Sequence, residues 1–241
     1  MSVKILNMAD KYKQLTPEEF ARKNKKNIVN EYFRKYPYEV SDNPSGIFMA
    51  GLPGAGKTEF VKRLLGGITP LPVHIDMDEI ASSIEGYKPQ FAHLFKGGAN
   101  IILERVLDHS INKKINFILD GTFGHDKAIS NVERSLVPKH GFKVRIYYIF
   151  QDPIIAWKNT VAREKIEQRK IDADGFIETY FRLRENIEYI FNNLQSQVPI
   201  TVVMKNKDLT DGKVLVNPAS IKEFTRSKLT KKELLDKINA C

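Results

Sequence analysis

At 241 residues the chain has room for one large domain with terminal appendages, and hardly for three independent ones. Its 42% apolar and 28% charged residues sit near the globular average, which excludes collagen, coiled coil and wholesale disorder; one cysteine, Cys241, excludes an internal disulfide or a cysteine-built zinc site. The net charge of +9 raises the question of an anionic partner, but residues 1–44 and 205–241 supply seven of the nine surplus charges, and no recognition-helix or aromatic-interleaved pattern goes with them. Solvated terminal helices are expected, and nucleic acid is not expected as a partner. No apolar run approaches the roughly 20 residues of a membrane helix, and the start MSVKILNMADKYK lacks a signal peptide's apolar block, so a cytoplasmic protein without a membrane partner is expected.

The N-terminal segment, 1–44, opens a helix at Thr16-Pro17-Glu18-Glu19. Thr16 can cap the first amides, Glu19 can return the bond, and Pro17 loses no needed donor at the first helical position. The helix is predicted to run to about Arg34, with Phe20, Ile28, Tyr32 and Phe33 forming an apolar face that packs on the main domain. Tyr36 to Ser45 reads as a connector.

From there a core of residues 45–204 alternates short apolar runs with longer amphipathic ones, the signature of strands joined by crossover helices. Strands are predicted at Gly46–Ala50, Leu71–Ile75, Asn116–Leu119, Lys143–Phe150 and Ile200–Met204, with helices beginning at Lys57, near Ala99, near Lys127 and after Pro153, and further helix through Tyr180–Leu194. These strand runs are rich in Val, Ile, Phe and Tyr with little alternation, as expected where helices cover both faces of a sheet. Residues 205–241 read as a basic helical extension in which Thr230 and Glu233 form a second capping box.

Gly51-Leu52-Pro53-Gly54-Ala55-Gly56-Lys57-Thr58 matches the pattern GxxxxGK[ST] in full, after an apolar strand and before an amphipathic helix. Such a loop points its amides at phosphates, and the helix start adds a partial positive charge. Lys57 is then expected to serve the β and γ phosphates of a nucleotide, and Thr58 to hold Mg²⁺. The fold class predicted is therefore α/β, a P-loop NTPase/kinase fold: a five-stranded, mostly parallel sheet with helices on both faces and extra helices at both termini.

Further motifs distinguish the P-loop classes. A GTPase reads guanine with NKxD, whereas Asn206-Lys207-Asp208 puts the acid one position early, and a water-activating Glu is missing after Asp120, where Gly121 stands. Asp76 and Asp78, spaced i, i+2 at the end of a strand, fit a kinase, in which a carboxylate takes the acceptor's hydroxyl proton. Asp76 is placed near Mg²⁺ and Asp78 toward the acceptor; the competing reading is that these acids cap the helix starting near Glu79. Asp120 can hold Mg²⁺ through water or orient the acceptor, or can be a turn acid before Gly121. Arg163 and Arg169, on a helix followed by a loop, can clamp the transferring phosphate or lie on a solvated face.

GLPGAGKT (51–58), HIDMDE (74–79), the helix around Glu104, ILDGTF (118–123) and the arginines of VAREKIEQRKI stand in an order that resembles the zeta toxins, over about residues 46–195. These are P-loop kinases of bacterial toxin–antitoxin systems that phosphorylate the sugar of UDP-N-acetylglucosamine. The resemblance implies that Asp78 is the base for the sugar hydroxyl, that Glu104 and Thr122 contact the UDP-sugar, and that Lys57, Arg163 and Arg169 serve the ATP phosphates. It also implies an antitoxin protein as a possible partner, a role that residues 1–44 could instead fill as a fused inhibitor. The family's arginine two residues after the GT is absent, Gly124 standing in its place. Other acceptors remain open on the residues alone: a nucleoside, an antibiotic or a nucleic-acid end. A nucleotide-dependent nucleic-acid-binding module is the reading from another class.

Overall fold

The computed structural model describes residues 15–167 and 172–241. The helix α1 (Pro17–Lys35) begins as expected, with Glu19 N–H donating to Thr16 Oγ1 (3.2 Å) and Thr16 N–H to Glu19 Oε2 (2.9 Å). There follow β1 (Ser45–Ala50), α2 (Lys57–Leu65), β2 (Val73–Asp76), α3 (Met77–Ser82), α4 (Ala92–Asn112), β3 (Phe117–Asp120), α5 (Ala128–Ser135), β4 (Lys143–Phe150), α6 (Pro153–Glu167), α7 (Ala173–Leu194), β5 (Ile200–Lys205), β6 (Asp211–Val216), α8 (Lys222–Thr225) and α9 (Lys231–Asn239).

The strands form one sheet in the order β2-β3-β1-β4-β5-β6. The five expected strands pair in parallel, and the loops after β1, β2 and β3 therefore leave at one edge of the sheet. Phe48, Phe117, Ile146 and Val202 are fully buried at the centre. Helices α1, α3 and α4 pack as one group and α5 to α9 as another.

The sheet has six strands rather than five. β6 lies antiparallel on β5 inside the segment expected to be helical. It is an exposed edge strand with only Val214, Leu215 and Val216 as an apolar run, so it lacked the buried pattern that marked the others. α4 begins seven residues before the expected start and takes in Gly97 and Gly98, residues that disfavour a helix interior. They mark a close approach: a Cβ on Gly97 would lie 2.0 Å from Glu18 Oε1, and one on Gly98 2.5 Å from the carbonyl of Pro17. Two glycines thus let α1 settle onto α4, with Ala21, Val29, Tyr32 and Phe33 buried. Burial of one such large side chain contributes about 1.5–3 kcal/mol, so α1 is a packed part of the fold. None of the described residues 15–44 lines the cleft at the sheet edge. No described helix is long and apolar enough to cross a membrane.

Candidate active site

The turn between β1 and α2 takes its shape from its glycines. Gly54 and Gly56 have φ of +73° and +88°, and a Cβ at 54 would lie 2.1 Å from Ala156 O and 2.6 Å from Thr160 Oγ1. Helix α6 therefore presses directly on the turn, and Asn159 Nδ2 donates to Gly54 O at 3.0 Å. On the other side Gly51 N–H donates to Thr122 O at 3.1 Å, tying the turn to the end of β3. Lys57 Nζ folds over the loop, donating to the carbonyls of Gly51 (3.0 Å) and Leu52 (2.9 Å). Leu52 and Ala55 are buried beneath it.

Asp76 ends β2 and caps α3, its Oδ1 accepting from Asp78 N–H at 2.8 Å. The capping role and the place at the sheet edge coexist, because a parallel strand running into a helix puts its last residue at both. Asp120 stands beside Asp76 across the β2–β3 register, 3.4 Å from His74 Nε2. Burial alone would lower the His74 pKa, but the hydrogen bond and charge of Asp120, with the charges of Asp76 and Glu79, outweigh it and raise it above 6.5.

The β2–α3 turn is held from behind by α1. Tyr32 donates its hydroxyl to His74 O, Tyr36 donates to Glu79 Oε2 (2.5 Å), and Lys35 pairs with Glu79 Oε1. Burial first, and then the Glu79 charge, push the Tyr32 phenol far above 10 and keep it a donor.

These elements surround a cleft of about 560 Å³, lined by Pro53, Gly54, Gly56, Lys57, Thr58, Asp76, Asp78, Glu104, Asp120, Thr122 and Arg163. The expected site residues are thus brought together except for Gly51, Leu52 and Ala55, which shape the loop, and Arg169, which lies outside the described residues. Glu104 is held by neighbours: Asn131 Nδ2 donates to Oε1 at 3.2 Å, Arg134 Nη2 lies 3.1 Å from Oε2, and Arg134 also pairs with Asp108.

The loop after β3 explains the absent arginine. A Cβ at Gly124 would meet Thr179 O and Thr179 Cγ2 of α7, each at 2.8 Å, so no longer side chain fits there without displacing α7. Phe123 is buried at φ +62°, a conformation costing about 1–3 kcal/mol for a residue with a side chain. Asn186 of α7 holds the loop there, donating to the carbonyls of Phe123 (2.8 Å) and His125 (3.1 Å).

Several lining residues carried no signal in the sequence: His93, Lys96 and Asn100 on α4, and His125 and Lys127 after β3. They are scattered residues of ordinary type, joined only by the fold. Burial lowers the His125 pKa, opposed by the charge of Glu104 and reinforced by that of Lys127. Besides the acids at the strand ends, the cleft is thus lined by two lysines, Lys127 lying 4.0 Å from Glu104 Oε2, and by a histidine inclined to neutrality.

A family model described as Zeta toxin matches residues 29–214. A structure from work on the PezAT chromosomal toxin–antitoxin system of Streptococcus pneumoniae is similar at TM-score 0.67 and 17% identity, over 94% of this chain and 98% of that one. An AvrRxo1-ORF1:AvrRxo1-ORF2 structure with sulphate ions is similar at TM-score 0.56 and 13% identity, over 87% and 70%. At these identities the two structures attest the fold. No curated protein matches the chain by sequence.

Proposed function

The chain belongs to the zeta toxin family, and from that premise we propose that it is an ATP-dependent kinase transferring the γ-phosphate to a hydroxyl of a small anionic acceptor, with UDP-N-acetylglucosamine as the first candidate. The observation that carries this reading is the convergence of a complete P-loop, the acids Asp76 and Asp78 and the cation Arg163 on one cleft. Its volume of about 560 Å³ falls within the range of small-molecule sites, about 300–1,000 Å³.

In this reading the amides of the P-loop and Lys57 hold the β and γ phosphates, and Arg163 with Arg169 draws charge off the transferring group. Asp78 accepts the acceptor's hydroxyl proton while the hydroxyl oxygen bonds to the γ-phosphorus. The bond from that phosphorus to the β–γ bridging oxygen breaks, and ADP leaves with the electron pair. The products are ADP and a phosphate monoester.

Mg²⁺ fits the residues present. Among the described residues no cluster of three or more His, Cys, Asp or Glu forms a metal cage. Mg²⁺ does not need one, since one or two protein oxygens, substrate phosphates and water suffice. Thr58 and Asp76, both facing the cleft, would hold it. When bound, Mg²⁺ would supply positive charge that offsets the negative charge developing on the phosphates during transfer.

On the acceptor side, Lys96 and Lys127 suit a diphosphate, while Glu104 and Thr122 offer acceptors for sugar or base hydroxyl and amide groups. A separate antitoxin protein is the proposed partner, because the described residues 15–44 pack on α4 rather than over the cleft. The test is incubation with labelled ATP, Mg²⁺ and a panel of UDP-sugars, nucleosides and short oligonucleotides. Label is expected in the UDP-N-acetylglucosamine product; label confined to an oligonucleotide end or a nucleoside would reassign the acceptor, and none in any product would refute the kinase.

A further inference from the structure

Lys205, at the end of β5, has a fully buried side chain, with 0% exposed. Its ammonium donates to Leu209 O at 2.9 Å and pairs with Asp211 Oδ1 at 2.6 Å, and Asp211 Oδ2 in turn accepts from Arg63 Nη2 of α2 at 2.5 Å. A buried ion pair is weak evidence for stability, since its desolvation offsets most of the attraction, so the question is what the charge is used for.

The surroundings answer it. A Cβ placed on Gly56, the P-loop residue just before Lys57, would lie 3.2 Å from Lys205 Cε, 3.5 Å from Lys205 Nζ and 3.5 Å from Leu209 Cδ2. Gly56 is in the left-handed region and has no side chain of its own to fix it there. Lys205 and Leu209 close off the space on that side of Gly56, at van der Waals distance from where a side chain would begin.

The turn they belong to is over-determined. Asn206 N–H donates to Thr210 O (3.0 Å), Asp208 Oδ1 accepts from Thr210 N–H (3.1 Å) and Thr210 Oγ1 (2.6 Å), and Gln151 Nε2 donates to Asn206 O (2.8 Å). Asn206-Lys207-Asp208, which imitates a guanine motif in sequence, is therefore a rigid turn braced against the P-loop. Its anchor, Asp211, opens β6, so the edge hairpin and the phosphate cradle share one ion pair.

We propose that Lys205 is a positioning residue for nucleotide binding: its buried ammonium, fixed by Asp211, seats the 206–210 turn on Gly56 and holds the P-loop amides in the phosphate-binding arrangement. This rests on the reading of the cleft as an ATP site. A pre-formed cradle binds more tightly because the ordering cost is met in advance. Loosening it should raise the dissociation constant for nucleotide while leaving chemistry, once nucleotide is bound, nearly unchanged.

The experiment is titration of the full chain with a fluorescent ATP analogue and Mg²⁺, without acceptor, alongside circular dichroism. Lys205→Met keeps the stem and removes the ammonium; losing that buried partner should weaken binding about tenfold, with the KM for ATP rising in parallel and kcat at saturating ATP within about threefold. Arg63→Met, which leaves Lys205 paired with Asp211, should weaken binding about two- to threefold. If Lys205→Met does not fold, Leu209→Ala decides, since its side chain borders Gly56 and carries no charge: about threefold weaker binding is expected. A folded Lys205→Met, or in its absence Leu209→Ala, that binds nucleotide as the wild type does would overturn the inference and leave the kinase reading standing. A wild-type chain that bound no nucleotide would overturn the kinase reading itself.

Discussion

The contacts behind the β2–α3 turn give a prediction in which appearance and energy disagree. The conspicuous interaction is the Lys35–Glu79 ion pair, but the Lys35 side chain is 63% exposed. Solvent-screened pairs of this kind contribute about 0.2–1 kcal/mol. The Tyr32 hydroxyl is less conspicuous: Tyr32 is 7% exposed, and it donates to the carbonyl of His74 on the edge strand β2. Removing a buried donor leaves its acceptor without that partner at a cost of about 1–3 kcal/mol. Tyr32→Phe should therefore destabilise the protein more than Lys35→Met does. Each 1 kcal/mol shifts Tm by about 2–4 °C in a chain of this size, so the two variants separate in a thermal or urea melt. Because the same turn carries Asp76 and Asp78, Tyr32→Phe should also lower turnover. A Tyr32→Phe melt superposing on the wild type, with Lys35→Met clearly displaced, would refute the reasoning.

Arg163→Ala should slow phosphoryl transfer by about 10³ or more while ATP binding changes little, if the guanidinium acts mainly on the transition state; single-turnover rates with labelled ATP check it. Gly124→Ala puts a methyl group 2.8 Å from the Thr179 backbone and should cost about 1–3 kcal/mol of stability in urea unfolding, whereas a neutral result would mean that α7 yields easily. His125 has a lowered pKa, so its neutral form favours the folded state: that stability is complete above the ordinary 6.5 and lost as pH falls through the lowered value. The wild type should weaken below pH 6.5, and His125→Gln should flatten part of that slope in pH-dependent melts.

The legible parts of this fold are those in which neighbouring residues do one job. Residues 51–58 must be consecutive to wrap a phosphate, and the five parallel strands must be apolar runs because helices cover them. Thr16 with Glu19 and Thr230 with Glu233 announce helix starts three residues at a time. The features hidden in the sequence depend on partners far along the chain. Gly97 and Gly98 spell a break unless Pro17 and Glu18 are known to lie against them. The exposed β6 offers only a three-residue apolar run, Lys205 reads as one more basic residue until it is found beside Gly56, and Lys96 and Lys127 belong together only once α4 and the β3–α5 loop line one cleft. The missing arginine is visible in the sequence, but its cause, the close pass of Thr179, is not.

The central claim, phosphoryl transfer in this cleft with Asp78 as base, is tested most directly by single-turnover transfer from labelled ATP to UDP-N-acetylglucosamine in the wild type, Asp78→Asn and Asp76→Asn. Asp78→Asn keeps shape but cannot accept the proton, so transfer should fall by about 10²–10⁴ with ATP affinity preserved, the range for loss of a general base. Asp76→Asn should instead raise the Mg²⁺ concentration needed. Wild-type transfer by Asp78→Asn, with Asp76→Asn inactive at any Mg²⁺ concentration, would contradict the account.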